Sequence, residues 1–279
     1  MQAKTVVVTG ATSGLGAALA ELLVKQNWQV LMINRSKVKS QAVVERLKAK
    51  NPNGAIEVFE ADLADQAAIE TVAEQIIKKY PRIDALFNNA GVLLGDLVYS
   101  RHKIEMHFQV NTLAPYMFMR LFRKPLAVAQ PSAIVNVTSS TMALTGSLKI
   151  GELQQPAKLH KLTGAYAQSK LALTTLTNAL AQEYQKEGIW LRSLDPGANK
   201  TSMTGGQGMP KLLLLLRQLA FQAPEKGAKA IYDAAFDQKF ANQSGIYIAS
   251  NRIKKPPKAS LDPIVQEQLL GLCRELTGL

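Results

Sequence analysis

The chain predicts an α/β fold, a doubly wound parallel sheet of about seven strands flanked by helices, in a single domain spanning residues 1–279. Three observations carry that expectation. Short runs of aliphatic and β-branched residues alternate along the whole length with stretches of 3.6-residue apolar periodicity, and strands joined through helices pair in parallel by right-handed crossovers. The first run, Val6-Val7-Val8, breaks into a glycine turn from Gly10 to Gly16 that opens at once into a helical pattern. That is the order a phosphate-cradling βα unit needs. No repeat, low-complexity tract or linker-like stretch divides the chain.

Lys4 to Thr9 has the pattern of a buried strand, and the helix after it aligns Leu15, Ala18, Leu19, Leu22 and Leu23 on one face. Trp28 to Ile33 is the second strand, followed by a charged helix over about Val38 to Lys50 that the turn Asn51-Pro52-Asn53-Gly54 closes. Ile56 to Glu60 is the third strand. The next helix runs from an Asp65 N-cap to about Tyr80, where Pro81 stops it. Ile83 to Asn88 is the fourth strand, and a long helical region over about Arg101 to Val128 is bent at Pro115 and broken at Pro125. Ala133 to Thr138 is the fifth strand; after an irregular stretch come a helix over Gly164 to Lys186 and a sixth strand over Ile189 to Leu194. Met203 to Phe221 is a helical or mobile apolar segment, Pro224 to Phe236 a helix, Gly245 to Ala249 the last strand and Asp262 to Leu276 a terminal helix. The basic stretch Arg252 to Lys258 is expected to be a solvated loop.

Composition narrows the function. The net charge of +12 comes from lysines and arginines spread along the chain, with no aromatic-interleaved basic block. That favours a basic enzyme attracting an anionic cofactor over a nucleic-acid binder. A single cysteine, Cys273, permits no internal disulfide. The first strand begins close to Met1, so no signal peptide or anchor is expected, and no apolar run approaches the ~20 residues of a membrane span. A cytoplasmic protein follows, with peripheral membrane contact left open. His102, His107 and His160 have no metal-ligand spacing and are expected to be structural or surface residues, so no metal site is predicted.

Several residues point to dinucleotide chemistry. The turn brings Gly10, Thr12, Ser13, Gly14, Leu15 and Gly16 to where a pyrophosphate would meet a helix N-terminus. About twenty residues on, where a carboxylate would select the free ribose of NAD, the chain has Asn34 and then Arg35. A guanidinium there suits a 2′-phosphate and favours NADP(H) over NAD(H). Asp62, followed by Leu63, can accept from an adenine amino group or cap the next helix, and Asn88-Asn89-Ala90-Gly91 ends the fourth strand with small residues suited to a flat ring or a ribose. Tyr166 and Lys170 lie one turn apart on a helix. A phenol titrates near about 10, and a neighbouring ammonium would lower that and fit it for acid–base work. This spacing alone is weak, since Tyr99 and Lys103 repeat it. The context differs: Tyr166 follows a strand ending in Thr138-Ser139-Ser140.

Together these motifs resemble the short-chain dehydrogenase/reductase family and its single-domain Rossmann fold. The match covers nearly the whole chain: Thr9, Gly10, Gly14 and Gly16 of the glycine turn; Asn88 to Gly91; Asn111; Ser139; Tyr166 with Lys170; and Pro196, Gly197 and Thr201. The stretch Glu105 to Asn111 and the long gap between Ser139 and Tyr166 are similar to the retinol dehydrogenase-like and WW-domain oxidoreductase-like branch. The resemblance implies hydride transfer between nicotinamide and a carbonyl or alcohol. Tyr166 would be the acid/base, Ser139 (or its neighbour Ser140) would hold the substrate oxygen, Lys170 would bond the ribose and lower the tyrosine pKa, and Asn111 would position a relay water. Asn89, Ala90, Gly91, Pro196, Gly197 and Thr201 would line the cofactor. Residues at about 203–223 sit where the family's substrate lid lies, and their leucines imply a lipophilic substrate. The extra residues Leu144 to Thr163 would wall the pocket or obstruct a helix-paired dimer, leaving monomer or homodimer. A protochlorophyllide-type double-bond reductase and a non-catalytic dinucleotide sensor are the alternatives.

Overall fold

The computed structural model describes residues 3–158, 160, 162–199 and 221–279. Eight strands form one sheet: β1 (Thr5–Thr9), β2 (Gln29–Asn34), β3 (Ile56–Glu60), β4 (Ala85–Asn88), β5 (Ser132–Val137), β6 (Ile189–Asp195), β7 (Ile246–Ala249) and β8 (Arg252–Lys254), in the order β3-β2-β1-β4-β5-β6-β7-β8. The first seven are parallel, as the alternating pattern predicts. β8 corrects the expectation of a loop at Arg252: it pairs antiparallel with β7 as an exposed, basic edge strand. Its three residues are too few and too charged to show strand periodicity, and edge charge discourages further pairing.

The helices are α1 (Gly14–Lys25), α2 (Lys37–Lys50), α3 (Gln66–Lys79), α4 (Met106–Phe108), α5 (Ala114–Leu121), α6 (Arg123–Ala129), α7 (Ile150–Leu153), α8 (Ala165–Gln185), α9 (Pro224–Phe236) and α10 (Pro263–Thr277). Alternate residues of each strand face opposite layers. Val6 and Val8 pack with Leu19 and Leu23 of α1, Val43 of α2 and Ile231 of α9. Val7 packs toward the layer that holds Ile69 of α3, Phe118 of α5, Leu176 of α8 and Leu269 of α10. Asp65 caps α3 through its carboxylate, as anticipated.

The region expected to be one helix from Arg101 to Val128 is several. Helix begins only at Met106, passes through a π turn at Gln109–Leu113, and breaks at Phe122, ahead of Pro125. Both prolines lie near the start of a helical segment, where a missing N–H costs nothing. The extra residue of the π turn shifts the face that follows it. Sheet order reverses between β1 and β4. Such a switch point opens a crevice at the carboxyl ends of the strands, and the predicted site residues lie around it.

Candidate active site

The glycine turn is shaped for close approach. Gly10 has φ +71°, and a Cβ there would sit 2.8 Å from the Ala90 Cα; at Gly16 a Cβ would fall 2.3 Å from the Gly10 carbonyl oxygen. The turn is stitched to the end of β4. The Asn89 and Ala90 N–H groups donate to Thr9 Oγ1 at 3.1 and 3.0 Å, and Asn89 Nδ2 donates to the Thr9 carbonyl at 2.9 Å. No acidic residue occupies the first turn of α1, so its positive end is left for an anion. These features fit a dinucleotide cradle: the glycines let the turn fold close against itself and against the end of β4, and the helix end is not neutralised.

Asn34 is buried and serves the loop. Its Oδ1 accepts the Ala11 N–H at 2.7 Å and its Nδ2 donates to Ser40 Oγ at 3.1 Å. Arg35, beside it, is exposed. Asp62 is exposed too, with one oxygen accepting from the Ala64 N–H. Leu63 is buried, and its carbonyl accepts from Gln109 Nε2. A cleft of about 670 Å³ lies on the outer flank of the turn, between α1, α2 and α9. Its lysines Lys25, Lys50 and Lys229 are paired with Glu21 and Asp233, and Tyr166 is not among its lining residues.

Tyr166 and Lys170 lie on the first two turns of α8, both buried. The Tyr166 phenol is set beside the Ser139 side chain. Ser139 accepts from the Thr141 N–H and hydroxyl, whereas Ser140 is exposed. Lys170 Nζ donates to the Val137 carbonyl at 2.8 Å. Burial pushes the phenol up to about 12, opposed by Ser139 and reinforced by Asp195. Burial brings the ammonium down to about 8, against the pull of Asp195. A lowered phenol is the expectation from the spacing; exclusion of water dominates instead, and Lys170 is not among the groups that shift it. Tyr99 and Lys103, the competing pair, lie outside any helix on an exposed turn.

Asn111 sits in the π turn. Its Oδ1 accepts the Val92 N–H at 2.8 Å, and its Nδ2 donates to the Val92 carbonyl at 3.1 Å and to Ser169 Oγ at 3.0 Å. Both N–H groups of the carboxamide are thus used by the protein. Around the Tyr166 ring, Leu93, Leu162 and Phe221 form a small apolar cluster.

At the end of β6, the Pro196 carbonyl accepts from Asn199 Nδ2 at 3.0 Å and Gln222 Nε2 at 2.9 Å, and Gly197 has φ +76°. Thr201 and most of the predicted lid, 203–220, lie outside the described residues. Sequence reasoning missed Asn199 and Gln222, which brace this loop, and Gly227, where a Cβ would fall 2.4 Å from the Leu15 side chain. It also missed Asp195, the acid nearest the pair. The contact between Pro196 and Gln222 could not be seen across 26 residues of chain. His107, expected to be structural or surface, is fully buried, while His102 and His160 are exposed. No group of three potential metal ligands occurs among the described residues. No helix among them is long and apolar enough to cross a membrane.

The short chain dehydrogenase family model matches residues 4–210. Retinol dehydrogenase 13 of Mus musculus is 29% identical over 282 residues, which cover 99% of this chain and 84% of that one. Dehydrogenase/reductase SDR family member 13 of Bos taurus is 28% identical, over 100% and 74% of the two chains. Among solved structures, one from Beutenbergia cavernae with NADP bound at low occupancy is 26% identical with a TM-score of 0.70, covering 88% of this chain and 94% of that one.

Proposed function

The chain belongs to the short-chain dehydrogenase family, in its retinol dehydrogenase-like branch, and from that premise we propose an NADP(H)-dependent reductase or dehydrogenase of lipophilic carbonyls and alcohols. The observation that carries this reading is the buried Tyr166 phenol set beside Ser139, with Lys170 one turn away and an apolar cluster of Leu93, Leu162 and Phe221 against its ring. When bound, the nicotinamide supplies and takes up the hydride. Ser139 holds the substrate oxygen, and Tyr166 delivers or removes its proton. Carbonyl reduction uses the protonated phenol, and oxidation of an alcohol the phenolate. Lys170 offers its ammonium to the ribose. Gly10 to Gly16 would hold the pyrophosphate, Asp62 and Leu63 the adenine, and Asn89 to Gly91 with Pro196 and Gly197 the nicotinamide half.

Preference for NADP(H) is supported by Arg35, which is exposed at the end of β2 and has no ion pair among the described residues, with the neutral Asn34 turned inward beside it. The apolar cluster, together with relatives called retinol dehydrogenases, supports a lipophilic substrate. The test is consumption of NADPH and NADH with aliphatic, aromatic, retinoid and steroid carbonyls, run beside Tyr166→Phe. NADPH-dependent turnover that nearly vanishes in the variant is the expected result. Turnover equal in the two proteins would remove Tyr166 from the chemistry, and NADPH binding with no turnover of any carbonyl would favour a sensor.

A further inference from the structure

Two side chains from one short helical stretch hold the backbone after β4 on either side of Leu93. Asn111 takes Val92 through both its main-chain groups. His107, one turn earlier, takes Leu94: its Nε2 accepts the Leu94 N–H at 2.9 Å. Leu93, between the two, packs against Tyr166 with Leu162 and Phe221. The His107 ring also stands edge-on to the Tyr166 ring, with centroids 6.1 Å apart.

An imidazole accepts at Nε2 only as the neutral tautomer that carries its proton on Nδ1. Glu105 imposes that tautomer, with Oε1 2.6 Å from His107 Nδ1. Its other oxygen accepts the Phe108 N–H at 3.1 Å, and its own N–H donates to the Gln154 carbonyl at 2.9 Å. Glu105 and His107 are both 0% exposed. Burying a carboxylate and an imidazole costs free energy unless each polar atom is used, and here the chain of bonds ends on one loop amide beside the reactive tyrosine. Neither residue reaches the Tyr166 hydroxyl. The pair acts on the wall, not on the reaction.

We propose that His107, oriented by Glu105, is a positioning residue for substrate-size discrimination: by fixing Leu94 it holds Leu93 as a rigid apolar wall against Tyr166. This deepens the reductase reading and rests on it. A long apolar carbonyl compound would lie along that wall, while a compact one would reach Tyr166 without it. Loosening the loop should therefore weaken binding of long substrates and leave the chemical step intact.

The experiment compares wild type with His107→Leu, His107→Gln, Leu93→Ala and the His107→Leu/Leu93→Ala double variant. The substrates are a short aliphatic aldehyde and a long polyunsaturated one, with NADPH, and amide hydrogen exchange is followed over residues 92–95. In His107→Leu the ratio of kcat/KM for long over short aldehyde should fall about tenfold, the worth of one buried hydrogen bond. The fall should appear in KM, with faster exchange at Leu94. The glutamine oxygen can occupy the place of Nε2, so His107→Gln should restore both readouts. Leu93→Ala should reproduce the altered ratio, and the double variant should add little to it. Equal loss on both aldehydes, an unchanged ratio, or full additivity would overturn the proposal. If His107→Leu does not fold, a wild-type Leu94 amide exchanging as fast as open loop amides overturns it equally. A wild type that reduces neither aldehyde sinks the reductase reading, while Leu94 protection in that protein reports on the clamp separately.

Discussion

Replacing Arg192 by methionine keeps an unbranched apolar stem but removes a guanidinium that is 1% exposed on β6. Its bonds all go to main-chain carbonyls: Nη1 to Ala234 and Ala235 at 2.6 and 3.1 Å, Nη2 to Phe240 at 2.6 Å, and Nε to Gln243 at 3.1 Å. Ala234 and Ala235 lie in the last turn of α9, where carbonyls lack helical partners and the dipole is negative. Burial brings the guanidinium down to about 10, so its removal relieves about 3 kcal/mol. Against that stand four bonds from a charged donor at about 1.5–3 kcal/mol each, two of them sharing one nitrogen. The balance is a loss of about 3–5 kcal/mol, the range found when a buried charged network is broken. Over 279 residues, an unfolding entropy of about 2.1 cal/mol/K per residue turns this into a Tm lower by about 5–8 °C. Calorimetry and urea unfolding read it directly. Arg192→Lys should fall between, since one ammonium cannot reach all four oxygens. Well below the transition, kcat/KM should stay close to wild type. A methionine variant as stable as wild type would refute the reasoning, because the four carbonyls would then tolerate burial without a donor.

Two further outcomes follow from the site. Arg35→Ala should raise the KM for NADPH by about ten- to hundredfold, the worth of a charge-assisted contact to phosphate, and leave NADH unchanged, as initial rates with each cofactor would show. With Lys170 at about 8, kcat/KM for carbonyl reduction should decline as pH rises through that value and the ammonium is lost. Asp195 holds the Lys170 value up, so Asp195→Asn should move this limb to lower pH in a pH–rate profile.

What was legible in the sequence was local. Thr9 to Gly16, Asn88 to Gly91 and the Tyr166–Lys170 pair are each defined by spacing within one turn or one helical turn, and their geometry follows from residue type. What was not legible depends on partners distant in the chain. Asn34 looks like a ribose-facing position, but its side chain is spent on Ala11, 23 residues away. Asn111 bonds Val92 and Ser169, 19 and 58 residues away. Glu105 and His107 are separated by one residue, the spacing of a strand face and not of a helix face, in a stretch that is helical from Met106, so the pattern gave no sign of their pairing. The π turn hid for the opposite reason: apolar periodicity continues through it, and a one-residue change of phase is small against a window of several turns. β8 is three residues long and wholly exposed, and a single apolar residue, Ile253, cannot establish an alternation.

The opening turns of α8 are ones that burial alone would not favour. The fall of the Lys170 ammonium from 10.5 to about 8 weighs against folding by about 3 kcal/mol at neutral pH. That weight is lifted as pH rises from about 8 to about 10.5, where the unfolded chain holds the extra proton. Tyr166 runs the other way: raised from 10.0 to about 12, it favours the fold below 10, and this support is lost on going toward 12. Further along the same helix, Leu171, Leu173, Leu176 and Leu180 are buried, at about 1.5–3 kcal/mol each. Those leucines offset the cost of the lysine but do not position the first turn, and Gly164 offers that turn no side-chain cap. Polar pins do so. Ser169, between the reactive pair, donates to the Tyr166 carbonyl at 2.7 Å and accepts from Asn111, and its own carbonyl accepts from Thr112 Oγ1 at 2.8 Å. The helical stretch Met106–Leu113 therefore reaches in two directions, through Ser169 to the base of Tyr166 and through Val92 and Leu94 to the wall against its ring. The tyrosine is held from below and from the side by one element, so a shift of that element would displace acid and substrate wall together.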